Sequence, residues 1–402
     1  KPGEAPEMWN LTNPEKITRI HKEYYISGSD VVNTNTFGVN PLKYDDKTVE
    51  AMISAAFVCA DLARREAGGE KYIALDIGPT GRLLKPLGDL PFEEAVTAFA
   101  KVVSEGVKNG ADLIVIETMN DSYETKAAVI AAKENSDLPI IVTNVFDDSA
   151  KLMTGADIEA MVAMLEGLGV DALGMNCSLG PVQMKRLVPD FMKNASIPVA
   201  VVPNAGLPRS ENGKTMFDVD ADEFSDIMAD IASQGVRIIG GCCGTTPEYI
   251  RKTAEKVKNI PIKEIEAKNI TVVSSYTHAV KIEDEPILIG ERINPTGKKK
   301  FKEALRNKDM EYILKEGISQ QEKGVHILDV NVGLPEIDEK AMICEALSGL
   351  QVVSDLPLQI DTVDAEAMEA AMRIYNGKPL VNSVNGNKES MDNIFPLVKK
   401  YG

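Results

Sequence analysis

The sequences KYIALDI at residues 71–77, PFEEAVTAFAKVVSEGV at 91–107 and DLIVIE at 112–117 decide the fold class. Two short apolar runs flank a segment in which apolar residues recur every three or four positions. This pattern predicts a strand, a helix and a second strand. Because the helix returns the chain across the face of the sheet, the two strands are expected to be parallel. The stretch therefore predicts an α/β fold.

The same unit recurs along much of the chain. Apolar runs of strand length occur at 30–35, 71–77, 112–117, 139–145, 171–176, 198–203 and 236–240. Polar residues such as Asp76, Glu117, Cys177 and Asn204 stand where these runs end. In a (β/α)8 TIM barrel the carboxyl ends of all strands meet at one face, whereas an open sheet spreads them along an edge. We therefore predict a barrel, and the count of seven runs predicts that it lacks its first strand or is irregular.

Composition excludes several classes of function. The chain has 402 residues and a formal net charge of −17, which argues against nucleic acid or anionic lipid as a partner. Its apolar runs are shorter than the ~18–20 residues that a membrane helix needs. The start KPGEAPEMWN lacks the basic and apolar order of a signal peptide. Five cysteines are too few for a disulfide scaffold, so we expect a cytoplasmic protein with reduced thiols.

A second α/β series follows a polar segment. Residues 259–285 lack strong periodicity and are predicted to be a linker between residues 1–258 and 286–402. Strand-like runs then occur at 286–290, 325–330, 357–361 and 379–383, with helical segments between them. Four strands cannot close a parallel barrel, so the second domain is predicted to be the first half of another TIM-type barrel.

Three of the five cysteines stand at predicted strand ends. Cys177 follows one strand, and the adjacent pair Cys242 and Cys243 follows another among glycines that free the backbone. Three thiolates at one barrel mouth suit zinc with a fourth position open, as at a catalytic site. Buried inert thiols and a strained disulfide between the adjacent pair are the alternatives. Cys59 and Cys344, within helical segments, are expected to be inert.

The motifs MNCSLGP at 175–181, PNAGLP at 203–208 and GGCCGTTPE at 240–248 resemble the homocysteine S-methyltransferase family. The resemblance implies that Cys177, Cys242 and Cys243 bind zinc and that the homocysteine thiolate takes the fourth position. The resemblance also implies that Glu117 binds the substrate ammonium and that Asn204 occupies the fourth zinc position when substrate is absent. It further implies that Thr36, in the TNTFG loop, and Asp76, in the DIGPTG loop, line the substrate pocket. Members of this family begin with a strand and a D-G-A-M/Y-G-T loop, which this chain lacks.

Four further motifs resemble the pterin-binding barrel of methyltetrahydrofolate methyltransferases. They are GERINPTGKKKFKEAL at 290–305, LDVNVG at 328–333, QIDT at 359–362 and VNSVNG at 381–386. The resemblance implies that Asp361 and Asn382 hydrogen-bond the pterin ring. It also implies that the mouth of the site is lined by Glu291, Asn294, Asp329 and Asn331.

Together these resemblances imply a cobalamin-dependent methionine synthase. Homocysteine would accept a methyl group from methylcobalamin that 5-methyltetrahydrofolate recharges, giving methionine. The cobalamin motif D-x-H-x-x-G does not occur, so we expect an incomplete fragment whose cobalamin lies on another domain or protein. The alternatives are a cobalamin-independent homocysteine S-methyltransferase and a homocysteine- and zinc-binding module without turnover.

Overall fold

A computed structural model describes residues 5–211 and 214–402. Residues 1–4, the start of the first predicted domain, lie outside the described residues. The chain divides into two compact units, residues 1–153 with 170–267 and residues 154–169 with 268–402. No helix within the described ranges is both long enough and apolar enough to cross a bilayer.

The first unit is built on a parallel sheet of seven strands. Its strands are β1 (Val31–Asn33), β2 (Tyr72–Ile77), β3 (Leu113–Met119), β4 (Ile140–Asn144), β5 (Ala172–Asn176), β6 (Val199–Val202) and β9 (Ile238–Ile239). They follow one another in the order β1-β2-β3-β4-β5-β6-β9, with each neighbouring pair parallel. The predicted α/β fold with a parallel barrel-type sheet is confirmed, with seven strands among the described residues, of which the edge strands β1 and β9 are not paired to each other.

Helices connect these strands and cover the sheet. They are α1 (Trp9–Thr12), α2 (Pro14–Ile26), α3 (Asp46–Ala67), α4 (Phe92–Lys108), α5 (Ser122–Asn135), α7 (Pro181–Asn194), α8 (Ala221–Ser233) and α9 (Pro247–Val257), with a 3-10 turn at Pro6–Met8. A two-stranded antiparallel hairpin, β7 (Pro208–Glu211) with β8 (Lys214–Phe217), follows β6. The apolar faces of the helices pack on strands such as β2 and β5, whose residues are almost all buried.

Aspartates define where many of the helices begin. The Asp45, Asp121 and Asp220 side chains accept backbone N–H groups in the first turns of α3, α5 and α8. These carboxylates satisfy N–H groups that have no partner within the helix, and they also oppose the positive end of the helix dipole. Proline opens α2, α7 and α9, where its missing N–H costs no hydrogen bond. Short caps of this kind let each helix start directly after a strand-end loop.

The second unit contains a parallel sheet of four strands. The strands, in the order in which they pair, are β12 (Ile289–Ile293), β13 (Ile327–Val330), β14 (Leu358–Asp361) and β15 (Leu380–Asn382). Its helices are α6 (Ile158–Gly167), α10 (Lys299–Asn307), α11 (Met310–Gln321), α12 (Glu339–Val353), α13 (Ala365–Ile374) and α14 (Lys388–Tyr401). The four predicted strands are all present, although the first begins three residues later than predicted.

The division by contacts differs from the predicted domain boundaries in two places. Residues 259–267 of the predicted linker group with the first unit, and residues 154–169 group with the second. The rest of that linker contains an antiparallel hairpin, β10 (Thr271–Ser274) with β11 (Ala279–Ile282), against which α6 packs. Sequence periodicity did not indicate the hairpin because its strands are short and mostly half-exposed.

Candidate zinc and substrate site

Two loops at the carboxyl end of the first sheet carry three cysteines. Cys177 directly follows β5, and Cys242 and Cys243 follow β9. The strand between them, β6, anchors both loops, since the Cys177 N–H donates to Val202 O at 3.0 Å and the Cys242 N–H to Pro203 O at 2.8 Å. The three sulfur atoms lie within 4.8 Å of one another. The structure therefore brings together the three cysteines that the sequence singled out.

Unusual backbone conformations turn these thiols toward one point. Cys177 has a φ of 56° and Ser178 a φ of 49°, both in the left-handed region that side chains with a Cβ seldom adopt. The chain therefore leaves β5 in a sharp turn instead of continuing the strand. After β9, Gly244 has a φ of 81°, and a Cβ at this position would lie 2.2 Å from the Phe217 ring. A glycine is needed there for both the turn and the close approach.

The spacing of two of the three sulfurs suits two ligands of one tetrahedral zinc ion. The Cys177 and Cys243 Sγ atoms are 3.9 Å apart. Two sulfurs at ~2.3 Å from one tetrahedral ion would be about 3.8 Å apart. Cys242 and Cys177 are half-buried and Cys243 is exposed, so the cluster has one open side. Three soft donors with an open fourth position match a catalytic zinc site.

The thiols differ in their readiness to ionise. The Cys242 and Cys243 thiols hydrogen-bond to Cys177 and lower its pKa far below the usual value for a thiol. The same hydrogen bonds to Cys177 raise the pKa of Cys242 and of Cys243. The cluster alone thus favours one thiolate and two thiols. A divalent cation among the sulfurs would favour the ionised form of all three, because a metal deprotonates the thiols that coordinate it.

Two neighbouring carboxyl groups, the buried Asp76 and the half-buried Glu117, lie near the ends of β2 and β3. Burial raises the pKa of Asp76 well above its ordinary value, and the neighbouring negative charge of Glu117 adds to this. Burial also raises the pKa of Glu117, but hydrogen bonds from Asp76 and Asn33 act in the opposite direction. Asp76 is consequently the member of the pair that stays protonated, and its hydroxyl donates a hydrogen bond to the Glu117 carboxylate. The pair carries one negative charge, which suits recognition of one cation.

Glu117 is held from two sides by amide groups. Asn33 Nδ2 donates to Oε1 at 3.3 Å, and Asn176 Nδ2 donates to Oε2 at 3.0 Å. Asp76 and Glu117 also line a cavity of about 1070 Å³ that extends along the open side of the sheet past β1 and β9. Gly241, the neighbour of Cys242, contributes to the wall of this cavity. A substrate that reaches the cysteines could therefore present a cationic group to Glu117.

The other two predicted substrate residues have structural contacts. Asn204 is buried, and its Oδ1 accepts the Cys243 N–H at 3.0 Å, which ties the β6 loop to the cysteine pair. Thr36 is fully buried, with its hydroxyl donating to the Asp76 carbonyl at 2.7 Å and lying 2.8 Å from the Thr34 hydroxyl. Thr36 thus holds the loop after β1 against β2.

The remaining cysteines lie elsewhere. Cys59 is buried in α3, where its Sγ donates to Pro14 O at 3.5 Å, and Cys344 is half-buried in α12. Burial raises the pKa of both thiols, which keeps them protonated. Both contrast with the low-pKa thiol at position 177.

A second polar cluster occupies the carboxyl end of the four-stranded sheet. Asn331 Nδ2 donates to Asp361 Oδ2 at 3.0 Å, and Asn294 Nδ2 donates to Glu291 Oε1 at 3.3 Å. Asn382 pairs with Asp361 in the register of β14 and β15. The structure thus gathers at one sheet end all six residues predicted to line the pterin site: Glu291, Asn294, Asp329, Asn331, Asp361 and Asn382.

Asp329 is the most perturbed group of this cluster. Burial raises its pKa to about 6, and the negative charges of Asp361 and Glu291 act in the same direction. Gln359 Nε2 donates a short hydrogen bond to Asp329 Oδ1, and Asn382 also bonds the carboxyl group. Asp329 can therefore hold a proton near neutral pH. A ring with several N–H and carbonyl groups would find both donors and acceptors here.

Sequence reasoning missed Gln359, whereas it placed Asn33 and Asn176 among the polar residues at the strand ends without giving either a partner. Each of the three has its partner on a different strand. Period-two alternation offered one usable signal, because Gln359 lies two positions before Asp361 on β14 and faces the same side. Asn33 and Asn176 are the last residues of β1 and of β5, and this strand-end position is what singled them out in the sequence.

Comparison with known proteins agrees with this picture. A profile of the homocysteine S-methyltransferase family matches residues 3–257, and a profile of pterin binding enzymes matches residues 290–402. Fold and site together define a barrel-type methyltransferase with three clustered cysteines. The chain belongs to the homocysteine S-methyltransferase family, and a pterin binding region follows the family domain.

Individual relatives extend the likeness over nearly the whole chain. It is 32% identical to methionine synthase of Mycobacterium leprae (strain TN) over 400 residues, which cover 94% of this chain and 33% of that protein. It is also 32% identical to methionine synthase of Mycobacterium tuberculosis (strain ATCC 25618 / H37Rv) over 416 residues, which cover 98% of this chain and 35% of that protein. The chain spans about a third of the length of these curated relatives.

Solved structures support the fold. The homocysteine methyltransferase MmuM from Escherichia coli in its oxidized form has a TM-score of 0.54 and 24% identity, covering 64% of this chain and 90% of that one. Its apo form has a TM-score of 0.51 and 23% identity, covering 63% and 90%. At this identity the likeness establishes a shared barrel-type fold for the first unit.

Proposed function

We propose that this chain carries the homocysteine and methyltetrahydrofolate sites of a cobalamin-dependent methionine synthase. The homocysteine thiolate would accept the methyl group of methylcobalamin and leave as methionine, and 5-methyltetrahydrofolate would recharge the cobalamin. The observation that carries the proposal is the convergence of the Cys177, Cys242 and Cys243 sulfurs within 4.8 Å of one another, at the end of the sheet that also carries Glu117. Methyl transfer to homocysteine is the activity expected of this family.

The residues of the first site would perform three tasks. Cys177, Cys242 and Cys243 would hold zinc, which when bound favours the ionised, nucleophilic form of a fourth sulfur ligand. Glu117, ionised and held by Asn33 and Asn176, would bind the ammonium of homocysteine. Asn204 would keep the Cys243 loop in place through its 3.0 Å hydrogen bond and would stand near the fourth position when substrate is absent. Since the thiols must stay reduced, a cytoplasmic location fits this role.

The second cluster supports methyltetrahydrofolate as the methyl donor. The nitrogen that carries the methyl group leaves more readily when it is protonated or hydrogen-bonded. Asp329, whose pKa is raised to about 6, can hold a proton at this end of the sheet. Asp361 and Asn382 would bind the edge of the pterin ring. This cluster distinguishes the proposal from a cobalamin-independent homocysteine methyltransferase that uses betaine or S-methylmethionine, because neither of those methyl donors contains a pterin ring.

Methyl transfer from free methylcobalamin tests the homocysteine half. Zinc-loaded chain, homocysteine and methylcobalamin are expected to give methionine, and so is the Cys59→Ala variant as a matched control. The Cys242→Ala variant is expected to give none. Binding of homocysteine without any turnover would instead favour a binding module, and methionine made from methyltetrahydrofolate with no corrinoid present would refute dependence on cobalamin.

Methyltetrahydrofolate binding tests the second half. The Asp361→Asn variant is expected to bind the folate at least tenfold more weakly, because one charged acceptor is lost at the ring. Asp392, exposed on α14, supplies the control Asp392→Asn, which should bind like the unmodified chain. Equal affinities in all three proteins would remove Asp361 from the pterin site.

A further inference from the structure

Asn176 uses its whole side chain to join β5 to β3. It is the last residue of β5 and is fully buried. Its Nδ2 donates to Glu117 Oε2 at 3.0 Å and to Thr118 Oγ1 at 2.7 Å, and its Oδ1 accepts the Thr118 N–H at 2.8 Å. One amide therefore holds two consecutive residues of β3, the strand on the far side of β4.

These contacts stabilise a local distortion of β3. Thr118 has a φ of 61°, a left-handed conformation that is unfavourable for a β-branched residue. The register between β3 and β4 shifts between Ile116 and Met119, so the strand is irregular around Glu117. Asn176 satisfies both the N–H and the hydroxyl of Thr118 at this point. The Asn176 amide thus supports the distortion and, together with Asn33, the direction of the Glu117 side chain.

The same residue borders the cysteine cluster on its other side. Cys177 is joined to it by a single peptide bond and is itself anchored by the 3.0 Å hydrogen bond from its N–H to Val202 O. Asn176 thus stands between the sulfur of Cys177 and the carboxylate of Glu117. The Cys177 residue and the Glu117 carboxylate are connected through the Asn176 side chain and the peptide unit between Asn176 and Cys177. Hydrogen bonds hold both of these groups in place.

We propose that Asn176 is a positioning residue that sets the distance between the three clustered cysteines and Glu117. By fixing this distance it selects the chain length of the aminothiol substrate. This inference rests on the proposed function of the site. Homocysteine has one methylene more than cysteine between its sulfur and its ammonium-bearing carbon. A site that binds both ends at a fixed separation discriminates a single methylene by roughly 10–200-fold.

Binding measurements on the zinc-loaded chain test the proposal. Dissociation constants are measured by calorimetry for homocysteine, cysteine and propane-1-thiol, which has a sulfur but no ammonium. In Asn176→Ala we expect the affinity for homocysteine to fall roughly tenfold and that for propane-1-thiol to change by less than about twofold, with one zinc retained. The preference for homocysteine over cysteine should shrink accordingly.

Two further variants make the result decisive. Asn176→Asp keeps the side-chain shape and an acceptor for Thr118, so it serves if Asn176→Ala is too unstable to purify. Asn144 is a matched control, because it is also a buried strand-end asparagine but donates to Thr125 Oγ1 at 3.0 Å instead of to Glu117. Asn144→Ala should lose stability and keep the preference for homocysteine.

The outcomes separate the two levels of the argument. Full preference for homocysteine in both Asn176 variants, or equal losses for all three thiols, would overturn the positioning role. If the unmodified zinc-loaded chain binds none of the three thiols, the proposed function of the site itself fails. Loss of the preference in the Asn176 variants alone supports the proposal.

Discussion

Replacing Gly244 by alanine tests how closely the cysteine pair depends on its loop. Gly244 follows Cys243 and has a φ of 81°, and an added Cβ would lie 2.2 Å from Cδ2 of Phe217. Nonbonded carbon atoms prefer separations of about 3.5–4.0 Å, so the loop or the ring must move by more than about 1 Å. The clash also involves Phe217 Cγ, at 2.6 Å, and a rotation of the ring tip cannot relieve it.

A shift of this size would disturb the proposed zinc site. Zinc–sulfur distances tolerate deviations of only about 0.2 Å, and changes in residues that support metal ligands typically lower metal affinity about 10–100-fold. We therefore expect Gly244→Ala to lower zinc affinity by a factor in this range. The left-handed backbone alone contributes a cost of about 1–2 kcal/mol to stability.

Gly110 separates the two effects. It has a φ of 87° after α4, and an added Cβ there would have no atom within 4 Å. Gly110→Ala should lose a similar amount of stability and keep its zinc affinity. Zinc affinity is measured by competition with a chromophoric chelator, and stability by urea unfolding. Equal zinc affinity in Gly244→Ala and Gly110→Ala would refute the claim that this close approach shapes the site.

Four further predictions concern the two sites. We expect the chain to bind one zinc ion, Cys242→Ala to lose that binding and Cys59→Ala to keep it; full zinc content in Cys242→Ala by metal analysis would contradict the assignment. Homocysteine binding should release protons, because the thiol must ionise to join the metal; a calorimetric enthalpy that does not vary with the buffer would argue against thiolate coordination. Glu117→Gln should weaken the binding free energy of homocysteine by about 1.5–3 kcal/mol and leave that of propane-1-thiol unchanged; equal losses for both ligands would place Glu117 outside the ammonium site. The Asp329 carboxyl has its pKa raised from 3.8 to about 6 in the folded protein, so its contribution to stability is present below pH 3.8 and is lost as the pH rises through about 6. Asp329→Asn should lack this component in urea unfolding across that range, and identical pH slopes would refute it.

Periodicity predicted the parallel strands well because buried strands consist of continuous runs of apolar residues, which are visible in the sequence. The runs at 71–77 and 171–176 correspond to β2 (Tyr72–Ile77) and β5 (Ala172–Asn176), both buried along nearly their whole length. The predicted run at 286–290 was displaced, since Leu288 is 53% exposed and the strand continues instead through the charged Glu291 and Arg292. In that strand, pairing with β13 decides the register more than apolar character does.

The two short antiparallel hairpins were not predicted from the sequence, for a related reason. The strands Pro208–Glu211 and Thr271–Ser274 contain polar or exposed residues and are four residues long. A strand of this kind is stabilised by its partner and by its turn more than by burying one regular face. The pairing that defines it involves residues too few and too polar to leave a periodic signal.

The candidate site residues could be named individually from the sequence, whereas their mutual arrangement could not be predicted. A thiol, a carboxylate and an amide at strand ends stand out because a parallel barrel directs strand ends to one face. The sequence does not indicate which amide side chain contacts which carboxylate. The contact between Asn176 and Glu117 depends on the order of β3, β4 and β5, on the irregular register at Thr118 and on the left-handed turn at Cys177. Those features follow from packing between strands that are distant in sequence. Because the distance between the sulfur and carboxylate ends of the site is set by these contacts, substrate length is a property of the folded sheet and not of any one motif.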